Sequence, residues 1–180
     1  MGTKKTLIKN GYLINSSKIS KQDILIDNGK IIEIGESLDI DTDNTIDATN
    51  KHIFPGLIDP QVHFRDPGLT HKEDLRTGSM ACAAGGITTF FEMPNTDPAT
   101  TTIEKLDQKY NTASQKSITN YSFFLGATSN NLEEINNLKN NCGLKIFMGS
   151  STGNLLVDND EALEKIFATC NRVIAVHAED

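Results

Sequence analysis

Apolar residues along this chain follow two rhythms, and the change between them falls at Pro55-Gly56. Before it, short alternating stretches predict strands. Thr6 to Ile14 is one, with Asn10-Gly11 inside it. Asp23 to Ile34 folds back on itself at Asn28-Gly29, and Ile46 to Ile53 adds a further short strand. Asn-Gly between alternating apolar residues is a strong hairpin signal, because both central positions of the tight turn need positive φ. Residues 1–54 therefore read as a small β-module, too thin to fold well by itself.

After Pro55-Gly56 the period lengthens to strand, loop, helix, repeated. Leu57 to Phe64 is an apolar strand, followed by a helix from Lys72 to Ala84 that ends at Gly85-Gly86. Ile87 to Met93 and Thr101 to Gln115 form a second pair, Ile118 to Gly126 and Leu132 to Asn140 a third. Leu144 to Met148 and Asn159 to Thr169 form a fourth, and Val173 to Val176 is a fifth strand. Continuous apolar strands, each followed by a helix, indicate a parallel sheet covered on its outer face. Open doubly wound sheets and closed (β/α)₈ barrels share this rhythm, so the polar residues decide. Gln61, His63, Arg65, Asn95, Lys145 and His177 all fall at or just past the C-terminal ends of different strands, where a barrel gathers its catalytic groups. No glycine-rich phosphate loop follows the first strand, which leaves a nucleotide-binding sheet without support. The expected fold is thus α/β, a (β/α)₈ barrel of the TIM type after the small β-module. Such a barrel needs about 250 residues. Residues 55–180 supply about five βα units, so the chain is expected to be the first half of the barrel, a fragment that is inactive alone.

Charge narrows the partners. The 17 Lys and Arg against 24 Asp and Glu give a net charge of −7, with no basic cluster. Nucleic acid is disfavoured, since phosphate binding needs a basic footprint. No apolar run is long enough for a membrane span and no signal-peptide core is present, so a cytoplasmic protein acting on a small molecule is expected. Cys82, Cys142 and Cys170 are far apart among apolar or helical residues and read as buried free thiols.

The most informative stretch runs from Pro55 to Gly68. Strand periodicity puts Asp59, Gln61, His63 and Arg65 on one face. Read alone, His63 fits a satisfied core histidine equally well, but a His and an Arg side by side at the catalytic end of a barrel would be odd core filler. This stretch resembles the first-strand signature of the amidohydrolase superfamily, Pro-Gly-x-Ile-Asp-x-His-x-His-x-Arg. Phe91-Glu92-Met93-Pro94-Asn95-Thr96 looks like the second-strand motif of dihydroorotases. Gly143-Leu144-Lys145-Ile146-Phe147-Met148 is similar to the strand that presents a carboxylated lysine, and Val176-His177-Ala178-Glu179 to the fifth-strand histidine motif. The motifs occur in the family's order across the whole chain.

The resemblance implies a metal-dependent reaction, the reversible hydrolysis of L-dihydroorotate to N-carbamoyl-L-aspartate in pyrimidine biosynthesis. It implies one or two Zn²⁺ ions held by His63, His177 and Lys145, the last carboxylated by CO₂ at its amine. That modification requires a neutral amine, hence burial. A salt-bridged or snorkelling lysine is the alternative. Arg65 and Asn95 would read the ring carboxylate, for which a fixed fork of guanidinium donors is suited. Gln61 stands where the family usually has a histidine. Either Gln61 is a weak ligand, or one metal site is lost or altered, or the protein is a non-catalytic homologue. The catalytic aspartate is expected downstream of residue 180. The full-length protein is expected to be a homodimer or higher homo-oligomer, and the β-module to be part of a composite β-sandwich. The rival substrates are those of hydantoinases, dihydropyrimidinases and allantoinases, which lack the carboxylate.

Overall fold

The computed structural model describes residues 4–150 and 154–178. The chain divides into two compact units, Met1–Pro55 and Gly56–Asp180.

In the first unit, β1 (Thr6–Ile14), β2 (Ile19–Asp27), β3 (Lys30–Gly35), β4 (Asn44–Asp47) and β5 (His52–Ile53) form one five-stranded sheet. The order is β3-β2-β1-β4, with β5 also on β1. β1, β2 and β3 are antiparallel neighbours, whereas β4 and β5 run parallel to β1. Asn28 and Gly29 both take positive φ, 51° and 71°, as the hairpin reading required. The single strand expected over residues 46–53 is instead β4 and β5. The Asp47 carboxylate accepts the Thr49 N–H at 3.0 Å, and Asn50 turns into the left-handed region at φ 60°, which ends the strand between them. Gly11 lets Ile53 pack close to β1; a Cβ there would meet the Ile53 side chain, which would have to shift. Among the described residues this unit is a single five-stranded sheet, with Ile31, Ile32 and Ile34 exposed.

In the second unit, β6 (Leu57–Val62), β7 (Ile87–Glu92), β8 (Asn120–Gly126), β9 (Gly143–Phe147) and β10 (Ile174–His177) form an all-parallel sheet. Its order, β10-β9-β8-β7-β6, makes every strand the neighbour of the next in sequence. With α1 (Leu75–Ala84), α2 (Ile103–Lys116), α3 (Leu132–Asn136) and α4 (Asp160–Thr169) between the strands, this is a half-barrel. α1 begins three residues later than expected. The reason is Asp74, which is extended and accepts the Arg76 and Thr77 N–H groups at 2.8 Å each, an N-cap. α3 stops well short of Asn140. Asn137 turns its amide back onto the Glu133 carbonyl at 3.0 Å, and Asn140 takes φ 53°, both typical of asparagine leaving a helix.

The core lies between sheet and helices. Phe90 and Phe123 are fully buried edge to face, and Phe64 packs on Phe90 with ring centroids 4.8 Å apart. Leu75 and Cys82 from α1, Leu106 and Ala113 from α2, and Ile166 from α4 close over them. Burying each such ring contributes about 1.5–3 kcal/mol, which fixes the strand ends that carry the polar residues. Of the three thiols, all free, only Cys82 is buried; Cys142 and Cys170 are half-buried, contrary to expectation.

Candidate active site

A cavity of about 340 Å³ opens at the C-terminal ends of the half-barrel strands. Gln61, His63, Arg65, Asn95, Lys145 and His177, separated by up to 116 residues in sequence, all line it, with Met93, Phe147 and Ser150 completing the wall. Gln61 sits near the end of β6, and His63 and Arg65 just beyond it. Asn95 follows β7, Lys145 is inside β9, and His177 ends β10. The β10 end is held beside β9, because the Met148 N–H donates to the His177 carbonyl at 2.8 Å.

Two contacts tie the β6 and β7 loops together. His63 Nδ1 lies 2.8 Å from Asn95 Oδ1. With a carbonyl oxygen as partner, Nδ1 must carry the proton, so Nε2 keeps its lone pair. Arg65 Nη1 donates to the Asn95 carbonyl at 3.2 Å. Burial holds the His63 pKa below the ordinary histidine value; the Arg65 and Lys145 charges push the same way, and the Asn95 hydrogen bond opposes them. The imidazole is therefore disposed to be neutral, the form that binds a metal.

Behind the Arg65 backbone lies a pair that the sequence did not single out. Glu92, the last residue of β7, accepts the Arg65 N–H at 3.0 Å through Oε1. Its Oε2 is 2.9 Å from Lys109 Nζ of α2, with side-chain exposures of 0% and 1%. The two charges thus form a fully buried ion pair. A signal for Lys109 did exist. Leu106, Lys109 and Ala113 are the buried residues of α2, so a lysine occupies an apolar stripe.

Lys145 is only 4% exposed, in a strand flanked by β8 and β10. Burial pushes its ammonium below the usual lysine range, and among the described residues no carboxylate pairs with it. Its Nζ stands 4.9 Å from the Phe147 ring centre. Among the described residues no three His, Cys, Asp or Glu side chains cluster as a metal site. The potential donors lining the cavity are two imidazoles, one buried amine and the Gln61 amide. His71 and His52 are exposed and outside the cavity. Residues 151–153 and Glu179 lie outside the described residues.

Sequential parallel strands, with a histidine pair, an arginine and a buried lysine meeting at their C-terminal ends, define an amidohydrolase-type half-barrel. The Dihydro-orotase-like family profile matches residues 50–180, and the chain belongs to that family. It is 40% identical over 179 residues to a dihydroorotase of Methanosarcina acetivorans, covering 96% of this chain and 38% of the relative. It is also 40% identical over 139 residues to an allantoinase of Desulfitobacterium hafniense, covering 77% of this chain and 31% of that one. Among solved structures, an L-hydantoinase (dihydropyrimidinase) from Arthrobacter aurescens matches with a TM-score of 0.92 at 34% identity, over 98% of this chain and 41% of that one. The chain thus spans about two-fifths of the length of relatives that it matches along its whole extent.

Proposed function

We propose that the complete gene product is a metal-dependent dihydroorotase that opens the cyclic amide of L-dihydroorotate to N-carbamoyl-L-aspartate, reversibly, in pyrimidine biosynthesis. The observation that carries this reading is the Arg65–Asn95 contact at 3.2 Å in the same cavity as His63, Lys145 and His177. A guanidinium and an amide beside potential metal donors would hold a ring carboxylate next to a reacting amide. The substrate and product are small, the site needs no nucleic acid or membrane, and the protein is taken to be cytoplasmic and homo-oligomeric. Residues 1–54 are taken as the β-module and 55–180 as the first half of the barrel.

The donor set fits a zinc ion. The His63 tautomer leaves Nε2 available, His177 shares the cavity, and among the described residues no carboxylate pairs with the buried Lys145. His63, His177 and Lys145 would hold the metal, and Gln61 would add a weaker amide oxygen. When bound, zinc supplies a Lewis acid for the amide carbonyl and lowers the pKa of water. Lys145 would act as the carbamate: its neutral amine adds to CO₂, forming an N–C bond and losing a proton. Arg65 would fix the carboxylate and thereby the ring amide, and Asn95 would orient both Arg65 and His63. None of the described residues is assigned the proton transfer to the leaving nitrogen.

The test is dihydroorotate ring opening by the complete gene product, before and after chelation, with hydantoin, dihydrouracil and allantoin in parallel. Chelator-sensitive opening of dihydroorotate alone is expected. The 40% identical allantoinase motivates the second reading, a carboxylate-free cyclic amide. Turnover of such a substrate with dihydroorotate inert would establish it. Folded, zinc-supplied protein that opens none of them would instead be a non-catalytic homologue.

A further inference from the structure

We propose that Glu92 and Lys109 are positioning residues that hold Arg65 and Asn95 in the geometry that reads the substrate carboxylate. The inference rests on the carboxylate-reading role given to Arg65 above. Neither residue lines the cavity, so any effect on substrate must pass through their neighbours.

The contacts of the pair converge on those neighbours. Glu92 spends one carboxylate oxygen on Lys109 and the other on the Arg65 N–H, at 2.9 and 3.0 Å. Lys109 Nζ also donates to the Met93 carbonyl at 3.4 Å, two residues before Asn95. Arg65 itself has φ 63°, in the left-handed region. A non-glycine residue there carries roughly 1 kcal/mol or more of strain and persists only where its surroundings impose it. Its peptide groups are held on both sides, the N–H by Glu92 and the carbonyl by the Leu69 N–H at 3.0 Å. The next residue, Asp66, is gripped from the same helix, by Lys116 at 2.7 Å. α2 thus reaches under Arg65 with two lysines, seven residues apart on one face.

Stability alone is a poor explanation for the pair. Both charges lose their water, and burial pushes the Glu92 carboxyl up and the Lys109 ammonium down, each opposed by the other's charge. Apolar side chains of similar volume are often as stabilising as a buried ion pair, or more so. What an apolar pair cannot supply is an acceptor for the Arg65 N–H.

That difference sets the experiment, made in the complete gene product with zinc. Glu92→Met with Lys109→Met replaces the pair by an apolar one. Glu92→Gln with Lys109→Met removes both charges but keeps an oxygen for Arg65. The readouts are the thermal midpoint and, separately, KM and kcat for dihydroorotate. The apolar pair is expected to raise KM about tenfold, the equivalent of one lost hydrogen bond, with kcat little changed. The Gln–Met pair should restore KM to within about threefold of wild type, because the acceptor is restored. A folded Met–Met variant with wild-type KM would overturn the proposal. So would a folded Gln–Met variant with KM raised tenfold, which decides the matter even if the Met–Met variant does not fold. Arg65→Met separates the two levels. If it leaves KM unchanged, the carboxylate-reading function fails and this inference with it. If it raises KM and the Met–Met pair does not, only the positioning role fails.

Discussion

Replacing Lys145 by Met should make the metal-free protein more stable while abolishing ring opening. The side chain is 4% exposed and no described carboxylate pairs with it. Burying a polar group without a partner costs roughly 1–3 kcal/mol in proteins. Two things reduce the gain on removing it. The ammonium lies 4.9 Å from the Phe147 ring, a contact of about 0.5–1 kcal/mol where water is near, and it lines a cavity that admits water. The net expectation is a stabilisation of about 1 kcal/mol, read as the urea unfolding free energy of chelated protein at pH 7. The pH dependence follows from the sign of the shift. The folded pKa is depressed below 10.5, so between that depressed value and 10.5 the unfolded chain binds the proton that the folded one has lost. Wild-type stability therefore gains on the variant as pH rises towards 10.5, and the difference narrows. Adding zinc and bicarbonate should stabilise wild type and leave the variant unmoved, since only wild type can form the carbamate. If Lys145→Met instead lost 1 kcal/mol or more in the chelated state, Lys145 would be a satisfied structural lysine, and the metal reading would lose its bridging ligand.

Three further substitutions probe the same wall and its support. Gln61→His should raise zinc affinity by roughly tenfold or more, measured by competition with a metallochromic chelator, because imidazole is a better zinc donor than an amide. Unchanged affinity would remove residue 61 from the ligand set. Asn95→Leu removes the acceptor 2.8 Å from His63 Nδ1 and should weaken zinc binding about 10- to 100-fold in the same assay, as loss of an outer-shell partner does. An undiminished affinity would mean that His63 is oriented by something else. Gly78→Ala would set a Cβ 2.7 Å from the Phe64 ring, which packs on Phe90, and should cost about 1–3 kcal/mol in urea unfolding. A neutral effect would show that α1 does not seat against Phe64.

What the sequence made legible is what depends on period and on single residue types. The alternation read over residues 57–65 grouped Gln61, His63 and Arg65, which do line one cavity, although β6 ends at Val62 and Arg65 lies beyond it at positive φ. The change of rhythm at Pro55-Gly56 separated a strand module from a parallel sheet. Asn28-Gly29 announced its own backbone, since few other residues take φ of 51° and 71° in succession. What stayed hidden depends on partners. Lys109 on the apolar stripe of α2 was passed over, and nothing in the sequence names Glu92 as its counter-ion, 17 residues earlier and on a different element. The positive φ of Arg65 was equally invisible, because arginine has no intrinsic reason to adopt it and takes it only where its peptide groups are held. Asn95 was read as a substrate residue; that it also sets the His63 tautomer required the 2.8 Å contact.

The charges around the cavity bear on what Gln61 means. Arg65, Lys145, His63 and His177 line it, and among the described residues no carboxylate does. A dication entering such a wall meets like charge unless the wall gives up protons first. The depressed pKa values of His63 and Lys145 are movements in that direction, and burial is the leading cause of each. Loss of the proton takes Lys145 from +1 to 0, and carbamate formation takes it to −1, the largest change of charge open to any described residue lining this cavity. A histidine at position 61 would contribute a stronger donor but no negative charge, and the glutamine contributes a weaker donor, also neutral. With Gln61 as a ligand, the substitution would alter the strength of one bond and leave the charge balance as it was. On the proposed reading, a metal bound here would depend chiefly on Lys145, and Gln61 would tune it.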